Sequence, residues 1–247
     1  DVSNIVMSIK CGGSDTTSGM ASNCVIGYVA DKLVDLGATV IFGETTEFIG
    51  GEHLLARRAV SKEVGDKILK IVDDMELRAK SLGCDMRKGQ PTPGNIEGGL
   101  SSIEEKSLGA IMKSGSKPIQ GVLGYTERVT DQKGLWIKDT PGREPEILTG
   151  MAATGAQVMM FSTGRGAPQG FPSMPVIKIC GNPNTYERME EDMDINAGRI
   201  ITGEKTIEEV GEEAFAKLIR TLSGEMTKNE AIQYITSIDI QCLGPVI

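Results

Sequence analysis

Residues 5–19 read Ile5-Val6-Met7-Ser8-Ile9-Lys10-Cys11-Gly12-Gly13-Ser14-Asp15-Thr16-Thr17-Ser18-Gly19. The first five form a short apolar run with the character of a buried strand. A Gly-rich segment follows, and Ala21-Ser22-Asn23 then opens a long helical pattern. A strand that passes through a Gly-rich turn into a helix places backbone N–H groups and polar side chains at the carboxyl end of a sheet. Open α/β sheets bind ligands there. From Lys10 to Gly19 the chain carries a thiol, a carboxylate, four hydroxyls and three glycines. A tight turn with a capped helix would use the same Gly and Ser residues, so the stretch needs support from elsewhere in the chain.

The rest of the sequence repeats the alternation. Val25, Val29, Leu33 and Leu36 have helical spacing, and Gly37 is placed as a C-cap. Residues 38–42 are apolar throughout, as in a parallel strand covered on both faces. A short helix is expected near 54–58 and a longer one from Ser61 to about Gly83. The Gly- and Pro-rich segment 85–99 is expected to be loop. Further strands are expected at 118–124, 134–138, 156–162, 175–179 and 199–202. Further helices are expected at 103–112, 144–154, 182–193, 207–222 and 227–234. Strands alternating with helices give an α/β fold: a mostly parallel sheet of about seven strands with helices on both faces. The whole of 1–247 is expected to be one domain.

Length and composition narrow the function classes. A chain of 247 residues with net charge −8 lacks the basic face of a generic nucleic-acid binder. No run approaches the roughly 20 apolar residues of a membrane span. The five cysteines (Cys11, Cys24, Cys84, Cys180, Cys242) are scattered and never form Cys-x-x-Cys. Reduced thiols in a cytoplasmic protein are expected, not a disulfide framework or a structural zinc site. The N-terminus has no basic region followed by an apolar core, and no starting Met.

Four segments carry candidate chemistry. The first is the opening loop with Cys11 and Asp15; a thiol near a helix start can have a lowered pKa. The second is Glu44, Glu47, Glu52 and His53, the only His in the chain. Carboxylates with imidazole suit Fe²⁺ or Mn²⁺; a solvated acidic loop is the plain alternative. The third is Gly164-Arg165-Gly166-Ala167-Pro168-Gln169-Gly170. Its glycines do not match the dinucleotide fingerprint, so neither a nicotinamide nor a flavin cofactor is expected. Arg165 at a strand end instead suits a carboxylate or phosphate clamp. The fourth is the acidic run ending in Asp194-Ile195-Asn196, which could supply a ligand or a positioning hydrogen bond.

Taken together, these loops resemble the C-terminal domain of the altronate and galactarate dehydratases, a family related to the large subunit of a sulfolactate sulfo-lyase. The matching words are Cys11-Gly12-Gly13-Ser14-Asp15 with Ser18-Gly19 and Asn23; Glu44, Glu47 and Glu52-His53-Leu54-Leu55 with Arg58-Ala59-Val60; Pro91-Thr92-Pro93-Gly94-Asn95 with Gly98-Gly99-Leu100; Glu105-Lys106-Ser107-Leu108-Gly109; Thr163-Gly164-Arg165-Gly166; and Met193-Asp194-Ile195-Asn196-Ala197-Gly198 with Gly203-Glu204. The resemblance implies a Rossmann-like sheet and a divalent metal at its carboxyl edge, Fe²⁺ first and Mn²⁺ as the alternative. It implies dehydration of a sugar acid to a 2-keto-3-deoxy acid. Sulfite elimination from a 3-sulfo-2-hydroxy acid, or a non-catalytic sugar-acid-binding or assembly domain, are the alternatives. It also implies a small β-rich domain, fused or as a separate subunit, so this chain is expected to be the C-terminal catalytic part of a longer protein or one subunit of a split enzyme. A homo-oligomer is expected. The expected catalytic residues are His53, Cys11, Asp15 and Glu47. The expected substrate contacts are Ser14, Ser18, Asn23, Arg165 and Asn196, and the expected metal ligands Glu44, His53, Cys11 and Asp194. Ligation and proton transfer are both open for His53.

Overall fold

The computed structural model describes residues 1–234 and 238–242. Its strands are β1 (Val6–Cys11), β2 (Thr39–Phe42), β3 (Ile119–Leu123), β4 (Gly134–Lys138), β5 (Val158–Thr163), β6 (Val176–Cys180) and β7 (Ile195–Asn196). They form one seven-stranded sheet in the order β3-β4-β2-β1-β5-β6-β7. Every pairing is parallel. The helices are α1 (Asn23–Asp35), α2 (Glu52–Arg57), α3 (Lys62–Ser81), α4 (Met86–Gly89), α5 (Pro93–Glu97), α6 (Ile103–Ile111), α7 (Glu144–Thr154), α8 (Pro183–Arg188), α9 (Gly198–Ile201), α10 (Ile207–Leu222) and α11 (Lys228–Ala231).

Alternate strand residues feed two cores. Met7, Ile9, Val40, Phe42, Val158 and Met160 pack with buried residues of α1, α3, α6 and α10. Ile41, Met159 and Phe161 pack with Ile147, Leu148 and Met151 of α7. Helices therefore cover both faces, which is why the strands are mostly apolar and almost wholly buried. Helix α1 buries Val25, Val29 and Leu33 at helical spacing. It stops at Gly37, whose φ of 80° is costly for any residue with a Cβ. Helix α10 begins with a reciprocal capping box between Thr206 and Glu209. A Cβ on Gly27 of α1 would stand 2.3 Å from the Met112 carbonyl oxygen. Only glycine lets α1 approach the turn after α6 so closely.

The sheet order places β1 between β2 and β5. The chain leaves β1 toward β2 on one side, and β5 arrives on the other. The carboxyl ends of β1 and β5 thus border a topological switch point, where open α/β sheets carry their ligand crevice.

Three local expectations change. Residues 199–202 are not a strand. Instead Ile195 and Asn196 pair with Ile179 and Cys180 of β6, Ala197 N–H donates to the Cys180 carbonyl at 2.8 Å, and Gly198 starts α9. The segment 85–99 contains two short helices, because Asp85 and Thr92 cap them and Pro93 occupies a first-turn position where it is tolerated. The helix expected over 182–193 is the short α8, capped by Asn182 and ended at Met189. Among the described residues, no helix is long and apolar enough to cross a membrane.

Candidate active site

Strand β1 ends at Cys11, and the loop beyond it is tied to the loop after β5. Gly12 N–H donates to the Ser162 carbonyl at 3.0 Å. The Gly13 carbonyl accepts from Gly164 N–H (3.2 Å) and Arg165 N–H (2.8 Å). Gly13 has φ +58°, and a Cβ there would lie 3.1 Å from the Gly166 carbonyl oxygen. Asn95 Nδ2 donates to the Ser14 carbonyl at 2.8 Å, which brings α5 over this loop.

Glu44 follows β2 with φ 72°, a left-handed conformation that is rare outside glycine. The surroundings hold it there. Its N–H donates to Thr140 Oγ1 at 2.7 Å. Its Oε1 accepts from Lys10 Nζ at 2.7 Å, and its Oε2 accepts from Cys11 N–H at 2.8 Å and from Lys113 Nζ. Lys10, Glu44 and Lys113 are all fully buried. Burial opposes the Glu44 charge, but Lys10 and Lys113 outweigh it and hold the carboxyl below its usual range. Lys113 Nζ also donates to Cys11 Sγ at 3.0 Å. Burial, and then the Glu44 charge, push the Cys11 thiol up to about 12. The turn that carries Lys113 is itself anchored: Arg58 Nη1 donates to Ser114 Oγ at 2.8 Å, and Ser116 N–H donates to Asp31 Oδ1 at 2.7 Å.

Above this buried cluster lies a cavity of about 400 Å³. Cys11, Gly12, Gly13 and Ser14 form its floor. Glu47 lines it after β2, Lys106 from α6, Arg143 and Glu144 at the start of α7, and Arg165 after β5. Lys106 Nζ lies 3.2 Å from Glu47 Oε1 and donates to Gln90 Oε1 at 2.7 Å. Glu47 Oε2 is buried and has no hydrogen-bond partner among the described residues. The Glu144 carboxylate stands 3.7 Å from Lys10 Nζ. Arg165 Nη2 pairs with Glu97 Oε2 at 3.0 Å, and Nη1 donates to the Gly94 carbonyl. A second cleft of about 400 Å³ shares Ser14 and Lys106 with the cavity. Its polar side includes Asp15, Ser18 and Asn23, and its other side Met20, Leu108 and Met112.

The structure distributes the expected residues unevenly. Cys11, Ser14, Glu47 and Arg165 meet at the central cavity. Asp15, Ser18 and Asn23 line the neighbouring cleft. The Asp15 carboxylate is occupied locally: Oδ1 accepts from Thr17 Oγ1 at 2.6 Å and Ser18 N–H at 3.1 Å, and Oδ2 accepts from Asn182 Nδ2 at 3.0 Å. Asn23 Nδ2 donates to the Gly109 carbonyl at 2.9 Å. Glu44 lies beneath the floor. His53 is on the exposed side of α2 and lines neither space. Asn196 lies on β7 and Asp194 just before it, and neither lines either space. Asp194 accepts from Lys178 N–H at 2.9 Å and Lys228 N–H at 3.0 Å, which fastens α11 to the sheet. Burial raises its carboxyl pKa.

The ligand set Glu44, His53, Cys11 and Asp194 does not fit one metal ion. Both Glu44 oxygens are occupied, and neither His53 nor Asp194 lines the cavity that Cys11 lines. Among the described residues, no group of three or more His, Cys, Asp and Glu side chains is placed to hold a metal.

Sequence reasoning missed Lys10, Lys113, Lys106, Arg143 and Glu144. A signal was available for two of them. Lys106 and Lys113 are seven residues apart, two helical turns, so they leave α6 and its terminal turn on one side.

Comparisons with known proteins identify the family of the chain. The family model described as D-galactarate/altronate dehydratase, C-terminal, matches residues 2–242. The chain is 41% identical over 234 residues to a (2R)-sulfolactate sulfo-lyase subunit beta of Chromohalobacter salexigens, covering 94% of this chain and 60% of that protein. It is 42% identical over 223 residues to galactarate dehydratase (L-threo-forming) of Escherichia coli, covering 90% and 42%. It is 34% identical over 229 residues to an altronate dehydratase of Bacillus subtilis, covering 93% and 46%. The chain therefore spans about half the length of the curated relatives it matches. With its family match, its parallel sheet and its crevice at the switch point, the chain belongs to the D-galactarate/altronate dehydratase C-terminal family.

Proposed function

We propose that this chain supplies the acid-binding and proton-transfer site of a lyase that removes water from a sugar acid of the altronate or galactarate type. One observation carries this: Lys106, Arg143 and Arg165 line a cavity together with Glu47, whose buried Oε2 has no hydrogen-bond partner among the described residues. Cations gathered around one cavity in a chain of net charge −8 suit an anionic substrate. The relatives' names, two sugar-acid dehydratases and a sulfo-lyase subunit, point to the same class.

Elimination from a 2,3-dihydroxy acid begins with loss of the weakly acidic proton beside a carboxylate. The Glu47 carboxylate takes that proton, and Lys106, 3.2 Å from its Oε1, positions it. Electron density moves into the carboxylate as an enediolate and then expels the 3-hydroxyl as water. The departing hydroxyl needs a proton, which the newly protonated Glu47 can return; Glu144 is the second carboxyl on the cavity wall. Arg165 and Arg143 hold the far end of the acid. Each well-placed acid or base contributes about 10²- to 10⁴-fold. The chain acts with the remainder of its protein, whether fused or a separate subunit.

Sulfite elimination from sulfolactate follows the same carbanion logic, and the 41% identity to a sulfo-lyase subunit favours testing it. The experiment is product analysis with the full-length protein on galactarate, altronate and (2R)-sulfolactate. A 2-keto-3-deoxy acid is expected. Sulfite release alone transfers the site to the second reaction, and no acid binding at all overturns both.

A further inference from the structure

We infer that the main-chain N–H groups of Gly13 and Ser14 form an oxyanion subsite on the cavity floor, which receives the carboxylate whose neighbouring carbon loses its proton; this rests on the acid-binding site proposed above. Four observations support it.

First, both residues line the cavity, and among the described residues no protein group accepts from either N–H. Their neighbours are all engaged: Gly12 N–H bonds Ser162, Asp15 N–H bonds Ser18 Oγ, and Thr16 N–H bonds Gly98. Second, Gly13 sits at φ +58°. Consecutive N–H groups around a left-handed residue form the concave nest that recurs at anion sites. Third, the donor is strengthened from behind. The peptide that ends in the Ser14 N–H begins with the Gly13 carbonyl, and that carbonyl accepts two hydrogen bonds, from Gly164 and Arg165. Hydrogen bonds linked through one peptide polarise one another, which makes the Ser14 N–H a better donor. Fourth, two buried cations stand behind the floor. Lys10 and Lys113 are both fully buried, with the Glu44 carboxylate between them and the partly exposed Glu144 carboxylate 3.7 Å from Lys10. Such a cluster is costly to build and contributes little to stability beyond an apolar equivalent. Its contacts with Cys11, two residues before the open N–H pair, give it a use.

The chemistry fits an enediolate better than a resting carboxylate. Charge on the carboxylate oxygens grows as the proton leaves, and fixed donors stabilise the state with more charge. Removal of one such donor typically costs about 10²- to 10³-fold in rate.

The test labels glycine and serine with ¹⁵N in the full-length protein and titrates galactarate, with affinity measured in parallel by calorimetry. The Gly13 and Ser14 amide protons are expected to move downfield together, on a curve that matches the calorimetric one. Galactarate that binds while these two signals stay in place overturns the subsite and leaves the acid-binding site standing. Galactarate that fails to bind overturns both. A second measurement uses Gly13→Ala, with its melting temperature checked against wild type. A folded variant is expected to lose about tenfold in galactarate affinity, the effect of misdirecting one good hydrogen-bond donor. Unchanged affinity in a folded variant overturns the subsite.

Discussion

Replacing Glu44 with Gln probes the buried cluster most sharply. The substitution keeps the shape of the side chain and removes its charge. Lys10 and Lys113 then face each other's charge with no buried counterion, since Glu44 bonds both. Glu144 remains 3.7 Å from Lys10 but is partly exposed, so it compensates weakly. Breaking a buried ion pair from one side costs about 3–5 kcal/mol. At about 2–4 °C per kcal/mol for a chain of this size, the melting temperature falls by roughly 6–20 °C. The pH dependence has a fixed sign. Glu44 is held below its usual range when folded, so its contribution is fully present above the unfolded pKa of about 4.3 and is lost as pH falls through the folded value. Wild type and Glu44→Gln should therefore differ fully at pH 7 and converge in acid. Denaturant unfolding across pH 3–7 measures this. A variant within about 1 kcal/mol of wild type at pH 7 refutes the cluster's geometry. So does a gap that stays constant into acid.

Two further predictions concern residues away from the cavity. Burial brings Lys178 down to about 7, while it donates to Asn229 Oδ1 at 2.8 Å and to the Gln169 carbonyl. Its unfolded pKa is about 10.4, so the unfolded chain binds more protons between the two values and stability rises with pH from about 7 toward 10. Lys178→Met should flatten that rise in thermal melts, and parallel curves for the two proteins would refute the placement. His53→Ala in the full-length protein should leave bound iron or manganese, and galactarate affinity, within about twofold of wild type, as for an ordinary surface substitution. Loss of metal or a tenfold weaker affinity would put His53 in the site after all.

The fold was largely legible, and the site only in part. Apolar runs at 38–42 and 156–162, alternating with helical patterns, were enough to predict β2 and β5 as strands of a parallel sheet; that β5 lies beside β1 comes from the structure. The three loops singled out after β1, β2 and β5 do come together, because those strands are neighbours. Ser14, Glu47 and Arg165 share a cavity for that reason. His53 and Asp194 lie away from that cavity, which chemical identity without direction could not reveal: one faces outward from α2, and the other accepts hydrogen bonds from β6 and α11. Lys10 was invisible for a different reason. It lies within a strand, where pattern reading asks only about apolar alternation, and its burial depends on a glutamate 34 positions away. Lys113 likewise owes its partners to a turn anchored by Arg58 and Asp31, contacts that no local pattern announces.

Elimination by a Glu47→Gln variant of the full-length protein bears most directly on the role of the cavity. Product formation from galactarate or (2R)-sulfolactate should fall about 10²- to 10⁴-fold, the loss of a positioned base, while acid binding measured by calorimetry persists. Turnover within about twofold of wild type would show that the proton is taken elsewhere, and would contradict the assignment of this cavity as the reaction site.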